Sequence, residues 1–286
     1  MDIIVRRAKI EDKARALDVE SKATPNLRYL DVMFEHWVHD TQGDFSVAEI
    51  DGVLVGVAKL TVLPDGSAWL EALRVAPFAQ GKGVGKQFYQ HFFTVARERG
   101  IPSMRMYTGV RNAVSKGLAE RFGFRLAATY RGASREVQPF GSGRQADSFV
   151  PILDSARSKE LLLPFSRQWT GFMVMNRTFY PVTPALCEIW SEEGKIYTDE
   201  ASDSLLVIGA RFQADKALHI ACLGGDMDKC LAFAEQKAKE LCVPKISCLF
   251  PHAETGIQQA LLNQGYRLDG PDYIVMEVSV QNQCLG

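Results

Sequence analysis

Apolar and polar positions along this chain change period from two to about 3.6 and back, and each change marks a new element. Residues 3–8 look like a strand. A helix is expected over 11–22, with Glu11 and Asp12 placed to oppose the positive end of its dipole, and Pro25-Asn26 breaks it. Residues 29–39 form a second helix, in which Leu30, Phe34 and Trp37 fall at i, i+4 and i+7 as a core-facing stripe. Two strands flank Asp51-Gly52, a hairpin turn, and Pro64-Asp65-Gly66 turns the chain into a strand that ends at Val75. A helix to about 99, a strand over 104–107, a helix over 112–121 and a strand from 124 complete this half.

Between Glu136 and Arg167 the pattern becomes irregular, with Pro139-Phe140-Gly141-Ser142-Gly143 in its middle. The periodicity therefore predicts a domain over 1–135, a linker over 136–167 and a second domain over 168–286. In the latter, helices are expected over 183–193, 226–242 and 255–264, and strands over 204–212, 216–223, 245–250 and 272–280. This order repeats the second half of the first domain, and Leu261-Leu262-Asn263-Gln264-Gly265-Tyr266 parallels Glu120-Arg121-Phe122-Gly123-Phe124.

One segment carries more chemistry than the rest. After Leu73-Arg74-Val75, the chain breaks at Pro77 and runs Gln80-Gly81-Lys82-Gly83-Val84-Gly85-Lys86 into a helix. Glycines at 81, 83 and 85 let the backbone bend sharply and approach a ligand, and the helix start offers unsatisfied N–H groups and a positive dipole end. Lys82 and Lys86 add cations, so the loop suits a pyrophosphate. A dinucleotide fingerprint does not fit, because the third glycine comes one residue early; a P-loop does not fit either, because Gln80 and Gln87 stand where it needs glycine and Ser/Thr. The remaining pattern, V-x-P-x-x-Q-G-x-G-x-G after a strand, resembles the acetyl-CoA loop of the GNAT acyltransferase superfamily. The element order over residues 1–135 resembles a GNAT domain as well.

The resemblance implies an α/β (α+β) fold of two tandem GNAT-like domains, each a mixed central sheet flanked by helices. In the second copy, Leu223-Gly224-Gly225-Asp226-Met227 replaces the loop and Asp226 reads as a helix cap, so that copy is degenerate and completes the fold.

The chain has 286 residues, 47% hydrophobic and 23% charged, with a net charge of −1. That length suits two domains of about 140 residues, each able to bury a core. The near-zero charge offers no broad field for nucleic acid or an anionic membrane. The amino-terminal run Met1-Asp2-Ile3-Ile4-Val5-Arg6-Arg7 is too short and charged for a signal peptide, and nothing approaches the roughly 20 apolar residues of a membrane span, so a cytoplasmic location is expected. The six cysteines, at 187, 222, 230, 242, 248 and 284, have no zinc or disulfide spacing, and most read as small buried hydrophobes. His36, His39, His91, His219 and His252 are scattered, so no metal is expected.

Acyl transfer from a thioester to an amine needs a base, a held carbonyl and a proton for the leaving thiolate. Glu71, on the strand that ends at the loop, is the candidate base; burial would raise its pKa toward the working range, and the other reading is a carboxylate that binds the substrate ammonium or a structural partner. The resemblance implies that backbone groups of Leu73, Arg74 and Val75 hold the acetyl and pantetheine units. It assigns Gln80, Gly81, Lys82, Gly83, Val84, Gly85 and Lys86 to the pyrophosphate, and Asn112 to the pantetheine or phosphate arm. Where many GNAT enzymes place a tyrosine as general acid, this chain has Ala119. Tyr107 is a substitute acid or a packing residue.

Leu27-Arg28-Tyr29-Leu30, Trp37, Asp40, Thr41 and Glu71-Ala72-Leu73-Arg74-Val75-Ala76-Pro77 look like the histidine N-acetyltransferase-like group. This implies a free amino acid as acceptor, with Arg28 and Tyr29 at the substrate; a solvated cation and a core anchor are the other reading of that pair. The expectation is an N-acetyltransferase that uses acetyl-CoA and a small-molecule amine, as monomer or homodimer. Protein amino-terminal or lysine acetylation, and a non-catalytic acyl-CoA sensor, are its rivals.

Overall fold

The computed structural model describes residues 2–25, 27–137 and 148–281. Asn26, the run from Pro139 to Gly143 and Cys284 lie outside the described residues.

The elements run in the order β1 (Ile3–Arg7), α1 (Lys13–Ala23), α2 (Leu30–His39), β2 (Asp44–Ile50), β3 (Val53–Val62), β4 (Ala68–Val75), α3 (Val84–Glu98), β5 (Ser103–Gly109), α4 (Ala113–Arg121) and β6 (Arg125–Glu136). They continue through β7 (Val150–Pro151), α5 (Ser155–Leu162), β8 (Phe172–Met175), β9 (Thr178–Pro181), α6 (Pro184–Glu192), β10 (Ile196–Asp199), β11 (Ser204–Gly209) and β12 (Leu218–Gly224). Last come α7 (Met227–Glu240), β13 (Lys245–Pro251), α8 (Thr255–Asn263), β14 (Arg267–Leu268) and β15 (Tyr273–Ser279).

Two compact units divide these elements, and neither is contiguous in sequence. The first comprises Met1–Thr108, Asn112–Leu126 and Met276–Gly286; the second comprises Gly109–Arg111 and Ala127–Val275. The expected linker contains α5, which Asp154 caps by accepting from Arg157 N at 2.7 Å.

In the first unit β1, β2, β3 and β4 are successive antiparallel neighbours, and β4 pairs with β5 in parallel. The Asp51-Gly52 hairpin has both residues at positive φ (49° and 77°), as a type I′ turn requires. Leu30, Phe34 and Trp37 of α2 are 1%, 0% and 2% exposed, and the two aromatic rings meet Phe45 of β2 edge-on. On the opposite face of the sheet, α3 sets Val84 and Phe88 so close to Gly56 that a Cβ there would lie 2.9 Å from the Phe88 ring. Tyr89 and Phe93 of α3 pack on Phe122 and Phe124 beyond α4.

The second unit repeats this plan. β11 and β12 are antiparallel, α7 crosses to β13, which is parallel to β12, and α8 follows. The matching turns share their hydrogen bonds: Gly123 N donates to Glu120 O and Phe124 N to Ala119 O, as Gly265 N does to Leu262 O and Tyr266 N to Leu261 O. β6 pairs with β13, and β10 and β7 extend the other edge. Cys187, Cys222, Cys230 and Cys248 are buried, and Cys242 is exposed.

Candidate active site

The site grows from a fault in β4. Val57 of β3 pairs with Arg74 and Lys59 with Glu71, so Ala72 and Leu73 together oppose Ala58 alone. This is a β-bulge, and Ala72 takes φ = 55° within it. An L-residue in that conformation costs about 1 kcal/mol or more, which the flanking ladder holds in place. Three consequences follow.

First, the bulge changes which side chains share a face. Directly opposed residues of antiparallel strands project on the same side, so Thr61, Lys59 and Val57 carry Trp69, Glu71 and Arg74 with them. Without the extra residue, Glu71 and Arg74 would point to opposite faces.

Second, β4 leaves its parallel neighbour. The pairing with β5 covers Ala68↔Met104, Trp69↔Arg105 and Leu70↔Met106 and goes no further, although β4 runs to Val75 and β5 to Gly109. Ala76 N donates to Val55 O at 2.8 Å and Arg74 opposes Val57, so residues 74 and 76 turn their backbone groups to β3. By alternation, Leu73 and Val75 turn theirs to the gap.

Third, the gap ends at the glycine loop. A 3-10 turn over Pro77–Ala79 leads to Gln80, whose Nε2 donates to Val75 O at 3.1 Å. Gly81 and Gly83 have φ of 76° and 93°, and a Cβ at Gly81 would find open space. Gly83 precedes α3 in the left-handed conformation without a side-chain cap, so the first N–H groups of α3 remain directed at the loop. Lys82 and Lys86 are exposed, whereas the Val84 side chain is in the core. Gly85 has a different use: a Cβ there would come within 2.9 Å of Leu118, so it permits the close approach of α4. These residues fit the pyrophosphate of coenzyme A, a dianion that needs backbone donors, room and cations.

Around Glu71 the other side chains form a half-enclosed wall. Thr61 Oγ1 donates to Glu71 Oε1 at 2.6 Å. Tyr107 stacks on Trp69, with centroids 5.9 Å apart and planes at 2°. Tyr29 begins α2, meets Trp37 edge-on at 5.9 Å and lies 5.8 Å beneath the Arg74 guanidinium. Burial pushes the Tyr29 hydroxyl above the ordinary phenol range; Arg74 opposes this, and Glu71 and Tyr107 add to it. Arg28 is exposed at the same helix start. Asn112 caps α4, its Oδ1 accepting from Ser115 N at 3.1 Å. Ala119 is fully buried.

Glu20 is the member that sequence reasoning missed. It is 4% exposed in α1 and accepts the backbone N–H groups of Tyr29 (3.3 Å) and Leu30 (3.2 Å), capping α2 from a neighbouring helix. Burial raises its pKa, against the pull of those donors and of Arg74 and Arg28.

The corresponding place in the second unit is closed. A Cβ at Gly224 would lie 2.1 Å from the Phe165 ring, and one at Gly225 would lie 2.2 Å from Asp203 O. Asp226 caps α7 by accepting from Lys229 N at 3.1 Å, which sets a carboxylate where the first unit has open donors. Among the described residues no group of three or more His, Cys, Asp or Glu could hold a metal ion, and no helix is long and apolar enough to cross a membrane.

Comparison with known proteins agrees with this fold. Residues 10–124 match the Acetyltransferase (GNAT) family. No curated protein sequence matches the chain. A GCN5-related N-acetyltransferase from Sphaerobacter thermophilus is 14% identical, with 97% of this chain and 96% of that one superposed at a TM-score of 0.66. A tandem GNAT protein from the clavulanic acid biosynthesis pathway is 11% identical over 99% and 100% of the two chains, with a TM-score of 0.65. A GCN5-related glucosamine N-acetyltransferase region of a fungal multi-domain GH3 β-N-acetylglucosaminidase is 14% identical over 97% of this chain and 38% of that one, with a TM-score of 0.67. The chain thus has the tandem GNAT fold, and its residues 10–124 match the model of the GNAT acetyltransferase family.

Proposed function

We propose that the first unit transfers an acetyl group from acetyl-CoA to the primary amine of a small molecule, a free amino acid being the finer reading. The observation that carries this is the coincidence of the β4–β5 gap, the bulge and the open glycine loop on one strand with Glu71 beside them.

The loop from Gln80 to Lys86 receives the pyrophosphate, and the backbone groups of Leu73 and Val75 receive the pantetheine and thioester carbonyl. Glu71 takes the proton of the acceptor ammonium, directly or through water, so that the amine attacks the carbonyl carbon. A backbone N–H in the gap stabilises the oxyanion. The C–S bond then breaks as the nitrogen gives up its second proton, which goes to solvent when the sulfur leaves as thiolate or restores Tyr107 when that hydroxyl, standing in for the absent tyrosine at Ala119, protonates the sulfur. A thiol of pKa near 8.5 leaves well enough that such an acid adds rather than decides. Asn112 supports the start of α4. The second unit contributes no second loop, which favours one active site per chain.

The test is release of free thiol from acetyl-CoA with a panel of amino acids, polyamines, aminosugars and peptides, for the wild type and Glu71→Gln. The expected outcome is saturable release with small amines and a loss of about 10²- to 10³-fold in kcat for the variant, with acetyl-CoA affinity kept. Tight acetyl-CoA binding with no release from any acceptor would instead favour a non-catalytic acyl-CoA-binding module, and preference for peptides would favour protein acetylation.

A further inference from the structure

Arg74 is a cation that acyl transfer itself does not use. Its Nη1 donates to Leu73 O at 3.1 Å, and its carbon lies 5.8 Å over the Tyr29 ring. Its Nε is buried with no hydrogen-bond partner among the described residues. A guanidinium carries five N–H donors in a planar fork and is not deprotonated in proteins, so a buried orphan donor on it is a costly arrangement unless something else completes it. The buried carboxylate of Glu20 accepts the backbone N–H groups of Tyr29 and Leu30 instead.

The bulge supplies the second observation. It turns Arg74 to the face that bears Glu71, Trp69 and Tyr107, so one wall of the site presents a carboxylate and a guanidinium together. An acceptor with only an amine satisfies Glu71 and leaves Arg74 unmatched. An acceptor whose amine stands near a carboxylate satisfies both, with the ammonium toward Glu71 and the carboxylate against the fork.

We infer that Arg74 is a specificity-determining residue that receives the carboxylate of the acceptor, so that amines bearing a nearby carboxylate are preferred over polyamines, aminosugars and lysine side chains. This rests on the acetyltransferase reading above. Exposed Arg28 is then a lesser contributor than the sequence suggested.

The experiment compares kcat/KM for L-amino acids with that for their decarboxylated amines at saturating acetyl-CoA, in the wild type, Arg74→Met and Arg74→Lys. The expected wild-type preference for the acid is about 100-fold, expressed mostly in KM, as loss of hydrogen bonds to a charged group implies. Arg74→Met should bring the ratio close to one, and Arg74→Lys, which keeps the charge and loses the fork, should leave about tenfold. Melting temperature and acetyl-CoA affinity of each variant report on folding, and the wild-type ratio needs no variant. Equal rates with acids and decarboxylated amines, or a ratio that survives in Arg74→Met, would overturn the inference and leave the acetyltransferase reading standing. Acetyl-CoA binding without transfer to any acceptor would overturn both.

Discussion

Lys59 is the residue most at odds with its surroundings. Its side chain is 0% exposed, on β3 directly across from Glu71. It pairs with Asp40 and donates to Leu60 O at 2.7 Å. Burial draws its pKa down while Asp40 resists, and the Asp40 carboxylate, which burial alone would push up, is held low by Lys59 and by the N–H groups of Gly43 and Gln42. Removing one partner of such a pair leaves a charge in the core. Asp40→Ala should therefore cost about 3–5 kcal/mol of unfolding free energy by urea denaturation, and adding Lys59→Met should recover most of it. A loss below about 1 kcal/mol in the single variant would show that the pair is not what holds Lys59 in the core. At this scale the sequence was uneven. Glu71, Tyr107 and Tyr29 were named from the sequence because their types and places suit the chemistry. The bulge was not, because nothing local marks Ala72 for positive φ, so the shared face of Glu71 and Arg74 was invisible. Glu20 was hidden because its partners lie nine and ten residues away.

Elements with strong periodicity were found within a few residues of their observed ends, among them α2, α3, α7 and α8. Those missed lacked a stripe or a marked turn. α5 buries only Ser158 and Leu162, and its other exposed or half-buried positions hide the helical period. The β8–β9 hairpin turns through Asn176 and Arg177 at φ of 48° and 60°, without the glycine that would have announced it. The glycine loop was legible because three motifs could be separated by spacing alone. Gly83 at φ = 93° is its most demanding position. Gly83→Ala should raise the acetyl-CoA Kd by about tenfold, the equivalent of the 1–2 kcal/mol that an L-residue loses there, with the fold retained. An unchanged Kd would mean that the loop backbone does not need this conformation to receive the ligand.

For the molecule as a whole, the tandem plan could be read from repeated element order. Each compact unit gathers segments far apart in the sequence, for which a local pattern carries no signal. The second unit also has its own pH dependence. His219, hydrogen-bonded to Ser247 at 2.7 Å, has its pKa drawn down to about 4 by burial and by the nearby Arg177 and Lys245. It is neutral when folded and takes up a proton near pH 6.5 when unfolded. Its contribution is therefore complete above about pH 6.5 and is lost as pH falls from there toward 4, to a total of order 3 kcal/mol. Urea denaturation at pH 7 and 4.5 should show the wild type losing about 2–3 kcal/mol more than His219→Gln; parallel losses would place the acid sensitivity elsewhere.

One open loop, in the first unit, is proposed to receive acetyl-CoA, while its counterpart in the second unit is closed by Phe165 and Asp226. Calorimetric titration of the full chain with acetyl-CoA tests it most directly. The expected result is one site per chain, weakened by Gly83→Ala and indifferent to Asp226→Asn. Two sites per chain, or binding that Gly83→Ala leaves intact and Asp226→Asn alters, would contradict it.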